Sequence, residues 1–327
     1  MRGGNRRFCR GIINHIYQIA IDGDVIFYSI RDHLVYFTIF CTFARKHGIR
    51  VLKLCQMPDH IHGSITTDRK NSLSAFVRDT TAVFAHEHNG VCHRKGPFFK
   101  SPFGSVPKYG DKKARSNLIY VDNNPVERRL CERAEQYRWN YLAYAANDHP
   151  FSEPFRARDA SNAMLRAIRM VEDRHVRGLH LPYSMLQRMF RPLGNKERQQ
   201  LVDIIITTYS VIDYHASIRF FDSLDNMLTA IHSTTGSEYD LNEVFIGTDD
   251  SWYKRMAEIV MAHCNLSDIH DMLGYPPEKK YELFLLLRRE TQATSEQIAK
   301  FLRIKLRKAG DDAPAQAERE DFPPDGH

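Results

Sequence analysis

The sequence predicts an α+β fold, in which a ferredoxin-like antiparallel sheet with helices is followed by an all-α C-terminal domain. Two observations lead to this prediction. Within residues 14–150, segments with apolar side chains at every second position alternate with segments of helical spacing, in the order strand, helix, strand, strand, helix, strand, helix. Residues 151–308 show helical spacing alone, after a change of composition at residues 151–160 that is typical of a linker.

In the first half, residues that favour turns separate the strands and helices. The first strand ends at Asp22-Gly23-Asp24, which predicts a tight turn, and the first helix stops at Gly48. Met57-Pro58-Asp59 separates two strands, and Asn89-Gly90 closes the second helix. The predicted elements are strand 14–21, helix 28–47, strands 50–55 and 60–66, helix 72–88, an extended aromatic segment 96–106, and a helix from about residue 112.

The C-terminal domain is predicted at residues 151–308. Thr294 and Gln297 have the spacing of a capping box at the start of its last helix. The two helices around residues 291–294 resemble a helix-turn-helix, and a plain helical interaction domain fits the pattern as well. The tail, residues 309–327, is rich in Asp, Glu, Pro and Ala and is predicted to be disordered. The predicted helices span residues 162–177, 196–211, 224–232, 251–264, 267–273 and 278–290, with a short one from residue 295.

The composition is that of an ordinary globular protein, with 43% hydrophobic and 26% charged residues in a chain of 327. No apolar run reaches membrane-spanning length, because Ser29, Arg31 and Asp32 interrupt the longest candidate. The basic N-terminal segment, residues 1–13, leads into no apolar stretch of the kind found in secretion signals, and we interpret it as a flexible arm. Six cysteines without paired spacing predict free thiols in a reducing, cytoplasmic compartment.

The charge is unevenly distributed along the chain. Residues 1–150 carry a net charge of +10 and residues 151–327 a net charge of −4, which gives the total of +6. Between residues 91 and 120, seven basic residues face a single acid, Asp111. A basic stripe of this kind indicates a polyanionic partner such as DNA, and a solvated surface is the alternative. The residues predicted to contact DNA are Lys100, Lys108, Lys112, Lys113 and Arg115.

The triplet His60-Ile61-His62 follows the Met57-Pro58-Asp59 turn on a predicted strand. Because side chains alternate along a strand, the two imidazoles lie on one face and Ile61 on the other, which forms half of a metal site. The alternative is a pair of half-buried strand histidines that are hydrogen-bonded to their neighbours. A further group, His86, His88, Cys92 and His93, lacks the spacing of a known zinc site.

A second motif, Tyr120 to Val126, lies on the helix predicted from about residue 112. Tyr120 and Asn124 are four residues apart and therefore share one face of that helix, so a metal bound through Asn124 would lie beside the tyrosine hydroxyl. The Asn124-Pro125 pair is expected to end or kink the helix.

Together, Met57-Pro-Asp-His-Ile-His62 and Tyr120-Val-Asp-Asn-Asn-Pro-Val126 resemble the motifs of single-tyrosine HUH transposases, specifically the REP-associated tyrosine transposases. The resemblance covers residues 14–147 and includes the closing Arg138-Trp-Asn-Tyr-Leu-Ala-Tyr144 segment. It implies that His60 and His62 bind a metal, Mg²⁺ or Mn²⁺, with Asn124 as the third ligand. Asp59 or a water is the alternative third ligand. Residues Asp59, Val121 and Asp122 depart from the commoner pattern of the family.

By the same resemblance, Tyr120 would be the nucleophile of a reaction on single-stranded or hairpin DNA. It would cleave REP-like hairpins or transposon ends and transfer the strand through a covalent 5′-phosphotyrosine. One alternative is a domesticated nucleic-acid-binding protein of the same fold that does not cleave DNA. Another is a metal-dependent hydrolase that uses the His60 and His62 pair without a covalent intermediate. A homodimer and a monomer both fit the sequence, and no membrane partner is expected.

Overall fold

The computed structural model describes residues 9–101, 103–233 and 249–306. Within them, four strands form one antiparallel sheet in the order β2-β3-β1-β4, with β1 and β3 at its centre. This order and the alternation of strands with helices confirm the predicted ferredoxin-like α+β fold. The elements of this half are β1 Ile13–Ile19, α1 Ile30–His47, β2 Arg50–Gln56, β3 His60–Thr66, α2 Lys70–Val91, β4 Gly104–Lys108 and α3 Gly110–Glu127.

The sheet has two differently covered faces. On one face, Ile16 and Ile61 pack with the aromatic side chains of α1 and α2, among them Phe40 and Phe76. On the other face, α3 packs through a separate apolar cluster that includes Ile13, Leu52 and Leu118. Because side chains alternate along each strand, the residues of β1 and β3 between those of the main core point toward α3.

Local interactions fix the ends of α1. The Asp32 carboxylate accepts hydrogen bonds from the backbone amides of Tyr28 and Ser29, at 2.8 and 2.7 Å, which satisfies donors at the helix N-terminus. At the other end, Gly48 has a φ of +62° and its amide donates to the last turn. Glycine adopts this left-handed conformation without the steric cost that a Cβ brings.

The helix α3 does not end at Asn124 as the Asn124-Pro125 pair led us to expect. It continues to Glu127, so Pro125 lies inside its last turn. Proline lacks the amide that would bond the carbonyl four residues earlier, but this single lost bond near a helix end is tolerated. Asn124 therefore keeps helical geometry relative to Tyr120.

Among the described residues, the C-terminal half is built mainly of helices, as predicted. The predicted helix over residues 267–273 is a 3-10 segment at Ile269–Gly274, and helices α5 and α7 were not predicted. The capping box at Thr294 is present, with the Gln297 amide donating to its hydroxyl at 3.2 Å. The helices are α4 Asn162–Val176, α5 Tyr183–Phe190, α6 Asn195–Tyr209, α7 Tyr214–Ile218, α8 Leu224–Ser233, α9 Ser251–His263, α10 Pro277–Glu290 and α11 Ser295–Leu302.

One hydrophobic cluster joins the two halves. It contains Phe37 and Phe40 of α1 together with Val171, Leu201 and Ile205 of the C-terminal helices. A boundary near residue 150 stays a prediction, and this cluster has members on both sides of it. The first eight residues of the predicted arm and the whole predicted tail, residues 309–327, lie outside the described residues.

Two further expectations concern the chain as a whole. All six cysteines are free thiols. Among the described residues, no helix combines the length and the apolar character that crossing a membrane requires.

Candidate active site

Two histidines of β3 and one asparagine of α3 converge on a common point. Asn124 lies between the two rings, with its Oδ1 3.2 Å from His60 Nε2 and its Nδ2 3.1 Å from His62 Nε2. All three side chains are buried. The strand alternation predicted from the triplet and the helical position of Asn124 together produce this arrangement.

The second ring nitrogen of each histidine has a partner of its own. Asp59 Oδ1 lies 2.5 Å from His60 Nδ1, and His15 Nε2 lies 3.2 Å from His62 Nδ1. Both Nε2 atoms are thereby directed toward Asn124. Metal-binding histidines characteristically have one ring nitrogen on the metal and the other held by a carboxylate or a similar polar group.

These side chains suit a divalent cation. Burial, together with the neighbouring His60 and His15, holds the pKa of His62 well below its usual range, which leaves an imidazole lone pair available for a metal. Two imidazole nitrogens and one amide oxygen are a mixed donor set, which Mn²⁺ accepts more readily than the oxygen-preferring Mg²⁺. Asp59 contacts the outer nitrogen of His60, so the geometry favours Asn124 over Asp59 as the third ligand.

Tyr120 lies one helical turn before Asn124 and is completely buried. Its ring centroid is 5.3 Å from that of His62 and 5.8 Å from that of His15. The next residue but one, Asp122, forms a buried ion pair with Lys53 of β2, with 2.6 Å between Oδ2 and Nζ. This pair attaches α3 to β2 of the sheet.

His15 is a site residue that sequence reasoning missed. It belongs to a buried polar chain in which the Ser64 hydroxyl donates to Asn117 Oδ1, and the Asn117 amide lies 2.6 Å from His15 Nδ1. Burial, with a contribution from the charge of Lys108, lowers the pKa of His15 to about 3. The available signal was the alternation of His15 with Ile16 on β1, which puts it on the α3 face.

A polar pocket of about 130 Å³ opens beside His60. One wall comes from the sheet and the end of α3, and the other comes from the C-terminal helices α9 and α11. Tyr120 does not line this pocket. The lining includes Tyr17, Asp59, His60, Arg128, Tyr253, Thr294, Gln297 and Lys300.

The predicted basic stripe is only partly at the surface. Lys100, Lys112, Lys113 and Arg115 are exposed, whereas Lys108 is 9% exposed. Lys108 is the last residue of β4 and lies opposite Ile13, on the face that α3 covers. Contact with DNA stays a prediction for all five residues, and the four exposed ones have the surface for it.

A second group of buried ligand-type side chains lies on the opposite side of the sheet. His88, Cys92 and His270 each place one donor atom within 4.8 Å of the others, while His86 and His93 are exposed and lie outside the group. Both nitrogens of His270 contact carboxylates, those of Asp32 and Asp268, at 2.8 and 2.7 Å. A ring with a carboxylate hydrogen-bonded to each nitrogen favours the imidazolium form, which has no lone pair for a metal.

This group is better described as a buried charge cluster, formed by His270, Asp32, Asp268 and Arg303, that joins the two halves. We call it the His270 latch. The Arg303 guanidinium lies 3.2 Å from His88 Nε2, and a cation there opposes binding of a second cation. Asp32 lies in the first turn of α1, Arg303 follows α11, and His270 belongs to the 3-10 segment. The buried charges therefore tie the C-terminal helices to the sheet domain.

The comparison with protein families agrees with the motifs. Residues 23–124 match a family model described as "Transposase IS200 like", and this range contains His60, His62, Tyr120 and Asn124. A solved structure of a REP-associated tyrosine transposase bound to a REP hairpin is 14% identical to the chain. It aligns with 44% of this chain and 85% of its own chain, at a TM-score of 0.39. No curated protein sequence matches the chain significantly.

Proposed function

We propose that the chain cleaves and rejoins single-stranded DNA with Tyr120 as the nucleophile, since residues 23–124 match the IS200-like transposase family model. The observation that carries this proposal is the convergence of His60, His62 and Asn124 one helical turn from that tyrosine. Three ligand-type side chains beside a phenol supply the parts needed for covalent phosphoryl transfer.

His60 Nε2, His62 Nε2 and Asn124 Oδ1 would hold the divalent cation, either Mn²⁺ or Mg²⁺. When bound, the cation supplies charge that polarises the scissile phosphate and offsets its negative charge. Asp59 and His15 orient the two rings from outside, and the Lys53–Asp122 pair keeps α3 at the distance that places Tyr120 beside them.

The reaction transfers one phosphodiester bond from the DNA to the protein. The Tyr120 hydroxyl loses its proton and its oxygen forms a bond to phosphorus, while the bond from phosphorus to the 3′ oxygen breaks. That 3′ oxygen takes up a proton and leaves as a free hydroxyl. The product is a 5′-phosphotyrosine, which a second 3′ hydroxyl can attack to restore a phosphodiester without ATP.

The substrate we propose is single-stranded DNA that carries a hairpin. The four exposed cations of the stripe would contact the phosphate backbone, and the polar pocket beside His60 would admit the scissile phosphate. Since Tyr120 is buried and does not line that pocket, the attack requires α3 or the helices opposite it to shift.

The same burial favours a second candidate function. A chain that binds hairpin DNA without cutting it would not need to expose Tyr120, whose side chain is completely enclosed. This candidate retains the fold and the basic surface, and it predicts binding in the absence of any covalent product.

One experiment separates the two candidates. The purified chain is incubated with labelled single-stranded oligonucleotides from the DNA that flanks its gene, with Mn²⁺, Mg²⁺ or EDTA, and run on denaturing gels. We expect a protein–DNA band that resists denaturation and requires the metal. Binding on native gels without such a band would support the second candidate instead.

A further inference from the structure

The end of helix α11 is attached to the loop that precedes α1. The Arg303 guanidinium donates a hydrogen bond to Val25 O at 2.9 Å. The next amide, that of Ile26, donates to Pro58 O at 2.7 Å. Pro58 belongs to the turn before β3, so this short series of contacts connects the C-terminal helices to the strand of the histidine pair.

A second contact reaches the site directly. Asp59 Oδ1 contacts His60 Nδ1 at 2.5 Å, and Asp59 Oδ2 accepts from Lys300 Nζ at 3.4 Å. The Asp59 side chain is 9% exposed and that of Lys300 is 34% exposed, so the ion pair is partly shielded from water. One carboxylate therefore bridges a ring of the candidate metal site and a cation of α11.

We propose that Lys300 is a positioning residue for the metal site, which holds the Asp59 carboxylate and thereby fixes the orientation of the His60 ring. This inference rests on the proposed function of His60 as a metal ligand. It gives the C-terminal helices a part in the active site, because Lys300 belongs to α11. Lys300 lies 241 residues beyond Asp59 in the sequence.

Lys300 also lines the pocket proposed to admit the scissile phosphate, so its effect on Asp59 is tested in the absence of DNA. A carboxylate that bonds His60 through one oxygen can still rotate about its side-chain bonds, and a cation on the other oxygen restricts that rotation.

The test measures Mn²⁺ affinity of the full chain by calorimetry and electron paramagnetic resonance, with no DNA present. We expect Asp59→Ala to weaken binding by about 10- to 100-fold, the usual loss for a partner of a metal ligand. Lys300→Met should weaken it by roughly two- to fivefold, as expected for a partly exposed ion pair. Lys300→Arg should retain most of the affinity. Lys305→Met, an exposed charge loss five residues away, is the matched control.

A double variant separates positioning from a direct role. If Lys300 acts only through Asp59, then Lys300→Met has no further effect on Mn²⁺ affinity in the Asp59→Ala background. Additive losses, or an unchanged affinity of a folded Lys300→Met or Lys300→Gln variant, would overturn the inference.

Failure of this inference can be distinguished from failure of the proposed function. If the chain forms no covalent DNA product but the Mn²⁺ affinities of the Asp59 and Lys300 variants change as expected, the positioning role is supported and strand cleavage is contradicted. If the chain forms the covalent product while Lys300→Met binds Mn²⁺ like the unmodified chain, the positioning role is contradicted and strand cleavage is supported.

Discussion

Lys53 Nζ lies 2.6 Å from Asp122 Oδ2, and the two side chains are 2% and 1% exposed. The pair links β2 to α3 two residues after Tyr120. Burial raises the pKa of Asp122, and the Lys53 charge opposes that effect. An ion pair enclosed in this way fixes the rotation of α3 and so determines which of its side chains face the histidines.

Removing one partner of this pair should strongly destabilise the fold. We expect Lys53→Met to lower the free energy of unfolding by about 3–5 kcal/mol, since it leaves an uncompensated buried carboxylate. Lys53→Met combined with Asp122→Leu should restore most of that loss, because no charge remains buried. Urea unfolding followed by circular dichroism measures both. If the free energy of unfolding of Lys53→Met lies within 1 kcal/mol of that of the unmodified chain, the ion pair is not enclosed.

Tyr120→Phe should abolish the covalent DNA product, since it removes only the nucleophilic oxygen. DNA affinity should stay within about twofold, because the ring that packs beside His62 is retained. Denaturing gels and fluorescence anisotropy measure the two quantities. Tyr109→Phe is the matched control at the opposite end of α3, where the tyrosine is 46% exposed. A covalent product from Tyr120→Phe and none from Tyr109→Phe would show that Tyr109 is the nucleophile.

Removing the metal or either histidine should stop cleavage. We expect EDTA, His60→Ala and His62→Ala each to reduce the cleavage rate by at least about 100-fold, because the charge at the phosphate contributes several kcal/mol. His86→Ala, at an exposed position outside the site, should cleave normally. Cleavage that is indifferent to EDTA would remove the metal from the mechanism.

Replacing Lys112, Lys113 and Arg115 by alanine should weaken binding to all single strands alike. The slope of log affinity against log salt should flatten by about 0.7 for each phosphate contact that is lost. The charge-matched control replaces the exposed Arg166, Arg169 and Arg188 of the helical half. An equal change in slope for both triple variants would show that net charge alone, rather than the stripe, determines binding.

The His270 latch predicts a pH dependence of stability. Burial alone lowers the pKa of His270, but Asp32 and Asp268 raise it to about 9. Because the pKa of His270 is higher in the folded state than in the unfolded chain, the protonated ring stabilises the fold fully below about pH 6.5. This stabilisation is lost as the pH rises through 9. The loss should be about 3 kcal/mol. Unfolding by urea at pH 6.5 and 9.5 measures it.

A variant isolates the latch from other groups that titrate in this range. His270→Asn should lower stability at pH 6.5 and show a flatter dependence between pH 6.5 and 9.5. His263→Asn, which changes an exposed histidine, should keep the slope of the unmodified chain. Parallel slopes for all three proteins would mean that His270 does not carry the charge assigned to it.

Short-range patterns predicted much of the fold. The alternation of apolar and polar residues predicted β1 and β3, and helical spacing of apolar residues predicted α1 to α3. The interval of four residues predicted that Tyr120 and Asn124 share one face of α3. The end of α3 was misplaced, because a proline near a helix end costs one hydrogen bond and does not force the chain to turn. The metal and nucleophile roles of these residues stay predictions.

Contacts between distant residues could not be predicted in this way. His15 meets His62 through the register of β1 with β3, and no local pattern specifies that register. Lys300 meets Asp59 across 241 residues. Lys108 was assigned to the surface stripe by its charge, yet alternation along β4 turns it toward α3.

The hydrophobic cluster shared by the two halves affects how the protein is made. A ribosome releases the chain from its N-terminus, so α1 emerges long before Leu201 and Ile205, the residues that cover it in the finished molecule. During that interval Phe37 and Phe40 lack part of their packing, and exposed aromatic side chains on an incomplete chain promote aggregation. We expect the nascent chain to rely on chaperones until α6 has left the exit tunnel.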